Sequence, residues 1–180
     1  MFGIGQLYKK MDIIKYFIDE PEREFHVREL AKLTKKSPTT VSKYLKQLEK
    51  EKILILEKKL NHLFFKANNE SSKFKDQKLF HNIKIIRKSG LTKYLNNIYH
   101  PEVIILFGSF AKAENIERSD IDILVITPSK KEANLEKFEN KLNHKIQLFL
   151  HSKKDIKIMN KKLLNTFING IKLSGYWELF

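Results

Sequence analysis

Two carboxylates stand two positions apart at the head of an apolar run, Asp120-Ile121-Asp122-Ile123-Leu124-Val125-Ile126. Side chains alternate along an extended strand, so Asp120 and Asp122 share one face and can share a divalent cation, while Ile121 and Ile123 turn to the core. Ionised side by side they repel each other, and a cation between them relieves that cost. Mg²⁺ carrying a nucleoside triphosphate, ATP in the first instance, is the natural occupant. It would polarise the α-phosphate and neutralise the departing pyrophosphate, leaving a third carboxylate to activate an attacking hydroxyl. Taken alone, the same pair would suit an edge strand kept soluble by its charges.

A second feature lies upstream. The run Val103-Ile104-Ile105-Leu106-Phe107 ends in Gly108-Ser109, and a helix-compatible stretch follows. Glycine lets backbone N–H groups approach a phosphate without a Cβ in the way, and the Ser109 hydroxyl and the helix start can bind its oxygens. Ten residues separate Ser109 from Asp120, the last of them Ser119, a further candidate for nucleotide binding. The whole run, Leu106-Phe107-Gly108-Ser109 followed by Asp120-Ile121-Asp122, resembles the signature of the DNA polymerase β nucleotidyltransferase superfamily in its minimal form, over about residues 88–175. The resemblance implies that Gly108 and Ser109 form the triphosphate loop and that Asp120 and Asp122 are catalytic metal ligands. It also makes Lys112 a further phosphate contact, where the family often has arginine.

Two positions depart from the pattern. Ala113 stands where the family often has glycine, and Gln147, in Lys145-Ile146-Gln147-Leu148-Phe149, stands where the third strand usually carries its carboxylate. A glutamine accepts no proton from a nucleophile and holds no second metal as an anion. Asp155 lies beyond that strand, and only a bend would bring it into the site. The resemblance implies transfer of a nucleoside monophosphate to a protein or small-molecule hydroxyl, with HEPN-type toxin proteins as a partner class. Gln147 makes weak or absent transfer the expectation.

A different chemistry is legible nearer the N-terminus. Ser37 offers a hydroxyl N-cap with Pro38 at the first helical position, and Val41, Leu45 and Leu48 form an apolar stripe down the helix. Thr39, Thr40, Ser42, Lys43 and Lys46 fall on the remaining arc, as a helix lying in the major groove of double-stranded DNA requires. Two strands, Ile53 to Leu56 and Leu63 to Phe65, flank a polar turn, Lys58 to His62, whose Lys58 and Lys59 would meet backbone phosphate. Helix, helix, helix, hairpin over residues 8–68 resembles the winged-helix transcription regulators. Winged helices also serve as protein-docking modules, which leaves a scaffold role open.

The elements that must position these groups divide the chain into three stretches. Residues 1–70 are expected as a winged helix-turn-helix, with a first helix from Tyr8 to Asp19 closed by Pro21. Residues 71–100 read as a helical connector broken at Gly90, and 101–180 as a small mixed-sheet nucleotidyltransferase-like domain; the fold class is α/β (α+β). The connector carries 7 basic and 1 acidic side chains, the most one-sided part of a chain whose net charge of +14 suits a polyanionic partner or simply a soluble basic protein. Its two apolar helical faces raise the expectation of a homodimer. There is no cysteine, and the six histidines lack metal-type spacing. No signal-like or membrane-length apolar run is present, so a cytoplasmic protein without membrane attachment is expected.

Overall fold

The computed structural model describes residues 4–59 and 62–178, with side chains from residue 12 onward, and divides the chain into two compact units, residues 1–78 and 79–180.

The first unit contains α1 (Ile4–Asp19), β1 (Phe25–His26), α2 (Val27–Thr34), α3 (Pro38–Lys50), β2 (Leu54–Lys59) and β3 (His62–Ala67). α3 begins as its sequence dictates: Ser37 is extended, its side chain accepts from the Thr40 N–H, and Pro38 follows. Val41, Leu45 and Leu48 are buried together with Tyr44, which the apolar stripe had left out. They close a core with Ile13, Ile14, Phe17, Phe25, Leu30 and Phe65. The hairpin is longer than its apolar residues suggest. Antiparallel pairing runs from Leu54↔Ala67 to Lys59↔His62, so Lys58, Lys59 and His62 are strand residues. Leu60 and Asn61, in the middle of the turn expected from sequence, lie outside the described residues. Phe25-His26 joins the sheet against Phe65 and Phe64, giving the order β1-β3-β2.

α4 (Ser72–Ser89) begins in the first unit and ends in the second, which continues with α5 (Leu91–Tyr99), β4 (Val103–Phe107), α6 (Gly108–Lys112), β5 (Ile121–Ile126), α7 (Glu136–Leu142), β6 (Ile146–His151), α8 (Lys153–Ile158), α9 (Lys161–Ile168) and β7 (Ile171–Gly175). The sheet order is β6-β5-β4-β7, with β5 antiparallel to β4 and parallel to β6, a mixed sheet. Alternation splits β5 between two cores. Ile121, Ile123 and Val125 pack with Ile86, Leu91, Leu95 and Phe138, while Leu124 and Ile126 pack with Ile156 and Phe167. β5 is therefore an inner strand covered on both faces, and the edge-strand explanation of its carboxylates fails.

Part of the apolar surface of residues 71–100 is spent on the chain's own cores, Phe74 in the first and Ile86, Leu91 and Leu95 in the second, while Leu79 and Ile83 are half-buried and Phe80 is exposed. No helix among the described residues is long and apolar enough to cross a membrane.

Candidate functional site

The register of the second sheet assembles the site at one end of β5. Asp122 pairs with Phe107 on one side and with Gln147 on the other, so the residue before the Gly-Ser pair and the glutamine of the third strand flank one carboxylate. Asp120 immediately precedes β5, and its Oδ2 accepts a hydrogen bond of 2.5 Å from the Gln147 amide. Both aspartates are partly buried. Burial, reinforced by the charge of Asp120, pushes the Asp122 carboxyl above the usual carboxylate range. The apolar side of its surroundings is built by Phe107, which stacks edge-on against Phe149 and Phe167 at 5.1 and 4.8 Å.

Gly108 lies against this carboxylate. A Cβ at that position would stand 2.1 Å from Asp122 Oδ2, and the backbone φ of +69° is itself in the left-handed region, so both space and conformation call for glycine. α6 ends on Ala113, whose φ of 57° is also left-handed, which explains why glycine suits that position. The residues named from sequence have unequal freedom. Gly108 and Lys112 open onto a cleft of about 360 Å³. The Ser119 hydroxyl instead accepts from the Ile116 N–H at 2.9 Å, closing the turn before Asp120. Asp155 is committed elsewhere: its carboxylate accepts from the Ser152 N–H and hydroxyl at 2.7 and 2.8 Å as the capping box of α8, and these bonds hold its pKa below the usual range.

Sequence reading missed the opposite wall of the cleft, Lys162, Asn165, Thr166 and Asn169 of α9 and its C-terminal end. Their i, i+3, i+4, i+7 spacing was visible as a polar stripe. What it faced was not.

The donor set offers a divalent cation two carboxylates and no third anion. Two carboxylates share the strand end, their mutual repulsion favours a cation, and a neutral amide occupies the third corner. Among the described residues no group of three or more His, Cys, Asp and Glu side chains is placed to hold a metal.

In the first unit, exposed Thr39, Lys43, Lys46 and Lys50 fall on one stripe of α3, opposite Val41, Tyr44, Leu45 and Leu48. Lys50 extends the sequence-derived set by one turn. Ser42 is half-buried, and the Thr40 hydroxyl is hydrogen-bonded to Ser37 Oγ at 2.8 Å, part of the helix cap. On the hairpin, Lys58 is exposed, whereas Lys59 is paired with Glu24 and Glu57 at 2.5 and 3.1 Å. The wing therefore presents less unpaired positive charge than its sequence suggests.

Residues 9–55 match the family model of bacterial regulatory proteins of the arsR family, and residues 89–176 match that of polymerase beta nucleotidyltransferases. A search of curated proteins finds no match. The two matched segments coincide with the helix-turn-helix core of the first unit and the sheet of the second. The chain thus joins a helix-turn-helix domain similar to arsR-family bacterial regulatory proteins to a domain of the polymerase beta nucleotidyltransferase type.

Proposed function

We propose that the chain is a transcriptional regulator that binds double-stranded DNA through α3 and the hairpin. In this reading its second domain holds a nucleoside triphosphate, ATP in the first instance, with one Mg²⁺, and transfers nucleotide slowly or not at all. The observation that carries the reading is the Gln147 amide on Asp120. Beside Asp122 it supplies an N–H donor at the place where transfer needs an anion to take a proton from the acceptor hydroxyl.

Asp120 and Asp122 would hold the cation, which when bound neutralises phosphate charge and polarises the α-phosphate. Gly108 keeps the backbone close to Asp122, and Ser109, next in the first turn of α6, would contact a phosphate oxygen in this reading. Lys112 and Lys162 bring positive charge to the cleft from two different helices. On the DNA side, the exposed Thr39, Lys43, Lys46 and Lys50 offer small polar and cationic groups to base edges and phosphates. Calorimetry with ATP and Mg²⁺ tests the nucleotide half. Binding that Asp122→Ala abolishes is expected, and a chain that binds no nucleotide would overturn it.

A second reading is active transfer to a protein hydroxyl, with a HEPN-type toxin as acceptor. Gly108, Ser109, Asp120 and Asp122 sit together at one strand end, which favours it; the placement of Gln147 counts against it. Labelled ATP supplied with and without such a partner separates the two.

A further inference from the structure

The segment from Ala113 to Ser119 runs between α6 and β5 without forming a helix or strand of its own. It joins the helix that opens on Gly108 and Ser109 to Asp120, whose neighbour Asp122 the sheet register already sets beside Phe107. A connection of this kind is ordinarily the mobile part of a site, because ordering it costs conformational entropy that few backbone bonds repay. Here it is tied down from beneath.

Asn82, buried on α4, uses both N–H bonds of its amide: one donates to the Phe110 carbonyl at 3.0 Å, the other to Asn115 Oδ1 at 2.7 Å. The Phe110 carbonyl belongs to the last turn of α6, where a helix leaves its carbonyls without intrahelical partners. Asn115 lies in the middle of the irregular segment and is buried as well. Downstream, Ile116 and Ser119 close a turn on each other, and the Ser119 carbonyl meets His144 Nδ1 at 2.8 Å. The His144 ring packs edge-on against Phe110 at 4.9 Å, which returns the network to its start.

The residue type matters. Asn82 interrupts an apolar helical face that includes Leu79, Ile83 and Ile86, where a hydrophobe would cost less to bury. A leucine there would leave the Phe110 carbonyl and Asn115 Oδ1 without this donor, and an aspartate would set an acceptor against acceptors.

We propose that Asn82 is a positioning residue for the nucleotide site, fixing residues 110–115 so that Gly108-Ser109 and Asp120-Asp122 stand ready for one triphosphate; this rests on the nucleotide-binding reading above. Asn82 touches no ligand and acts through the loop. Its amide is a side-chain bridge from α4 to both α6 and the loop.

The test compares the full chain with Asn82→Asp and Asn115→Ala, and with Leu95→Ala as a core variant of the same unit that loses packing while keeping every hydrogen bond of the Asn82 network. ATP·Mg²⁺ affinity is read by calorimetry and amide exchange of residues 110–119 by mass spectrometry, at a temperature where each variant is folded. Asn82→Asp should weaken ATP binding roughly tenfold, the equivalent of about one buried hydrogen bond, and speed exchange in the loop. Leu95→Ala should leave affinity unchanged despite its lower melting temperature. Should Asn82→Asp fail to fold, Asn115→Ala, which removes the acceptor at the other end, carries the same expectation. Affinity and loop exchange within twofold of the unaltered chain in the folded variant would overturn the proposal. So would an equal loss of affinity in Leu95→Ala. Failure of the unaltered chain to bind ATP would instead remove the reading beneath it, and unchanged loop exchange in Asn82→Asp would then remove the positioning role too.

Discussion

Gln147 donates its side-chain amide to Asp120 from the strand position registered against Asp122, so two aspartates and a neutral amide share the end of one sheet. Replacing the amide by a carboxylate should change two properties together. Gln147→Asp should raise any residual transfer toward the factor of about 10² to 10⁴ that a general base contributes. It should also lower thermal stability at neutral pH without divalent cations, because a third like charge joins two others, and Mg²⁺ should restore it. Melting curves with and without Mg²⁺ check this. A variant indifferent to Mg²⁺ would place Gln147 outside the metal's reach.

Asp122 gives a pH dependence of known sign. Its carboxyl is raised by burial first and by Asp120 second, so the folded chain holds that proton more tightly than the unfolded one. The stabilising contribution is fully present below the unfolded pKa and is lost as pH rises through the folded pKa. Asp122→Asn should accordingly be more stable than the unaltered chain at pH 7, with the difference closing as the solution is acidified past the carboxylate range. Equal melting temperatures at pH 7 would show that the charge is not strained.

Two neighbouring left-handed positions should both favour glycine over alanine. Gly108→Ala places a Cβ 2.1 Å from Asp122 Oδ2 in a left-handed backbone and should cost about 1–3 kcal/mol while ending nucleotide binding. Ala113→Gly removes a Cβ from a left-handed position, φ 57°, and should stabilise by roughly 1 kcal/mol. Chemical denaturation measures both.

Those two positions also show how far the sequence carried. Gly108 to Asp120 was legible because a strand ending in Gly-Ser and a second strand opening on two carboxylates are local patterns, and the α3 cap was equally local. Gln147 could be matched to the third strand by its order in the chain. Its hydrogen bond to Asp120 depends on the parallel β5–β6 register, which is non-local. The α9 wall of the cleft and Asn82 escaped for the same reason: each is an ordinary helical residue until packing brings it to α6. The charge of Lys59 misled, since Glu24 and Glu57 reach it across the sheet.

That neutralisation predicts unequal effects on DNA binding. Lys43→Glu, Lys46→Glu and Lys50→Glu should each weaken affinity, with the slope of log affinity against log salt falling by about 0.9 for each phosphate no longer neutralised. Lys58→Ala should do more than Lys59→Ala, because Lys59 is already paired. Fluorescence anisotropy across a salt series reads both. A dominant Lys59 would mean that its ion pairs yield to DNA.

A second domain that keeps a nucleotide site while lacking the group that makes transfer fast should bind without reacting. Incubation of the full chain with ATP labelled at the α-phosphate and Mg²⁺, with and without DNA and a HEPN-type partner, tests this most directly. Label should be held reversibly, should be lost in Asp120→Ala and Asp122→Ala, and should not become covalent beyond a trace. Rapid covalent labelling of any acceptor by the unaltered chain would contradict it.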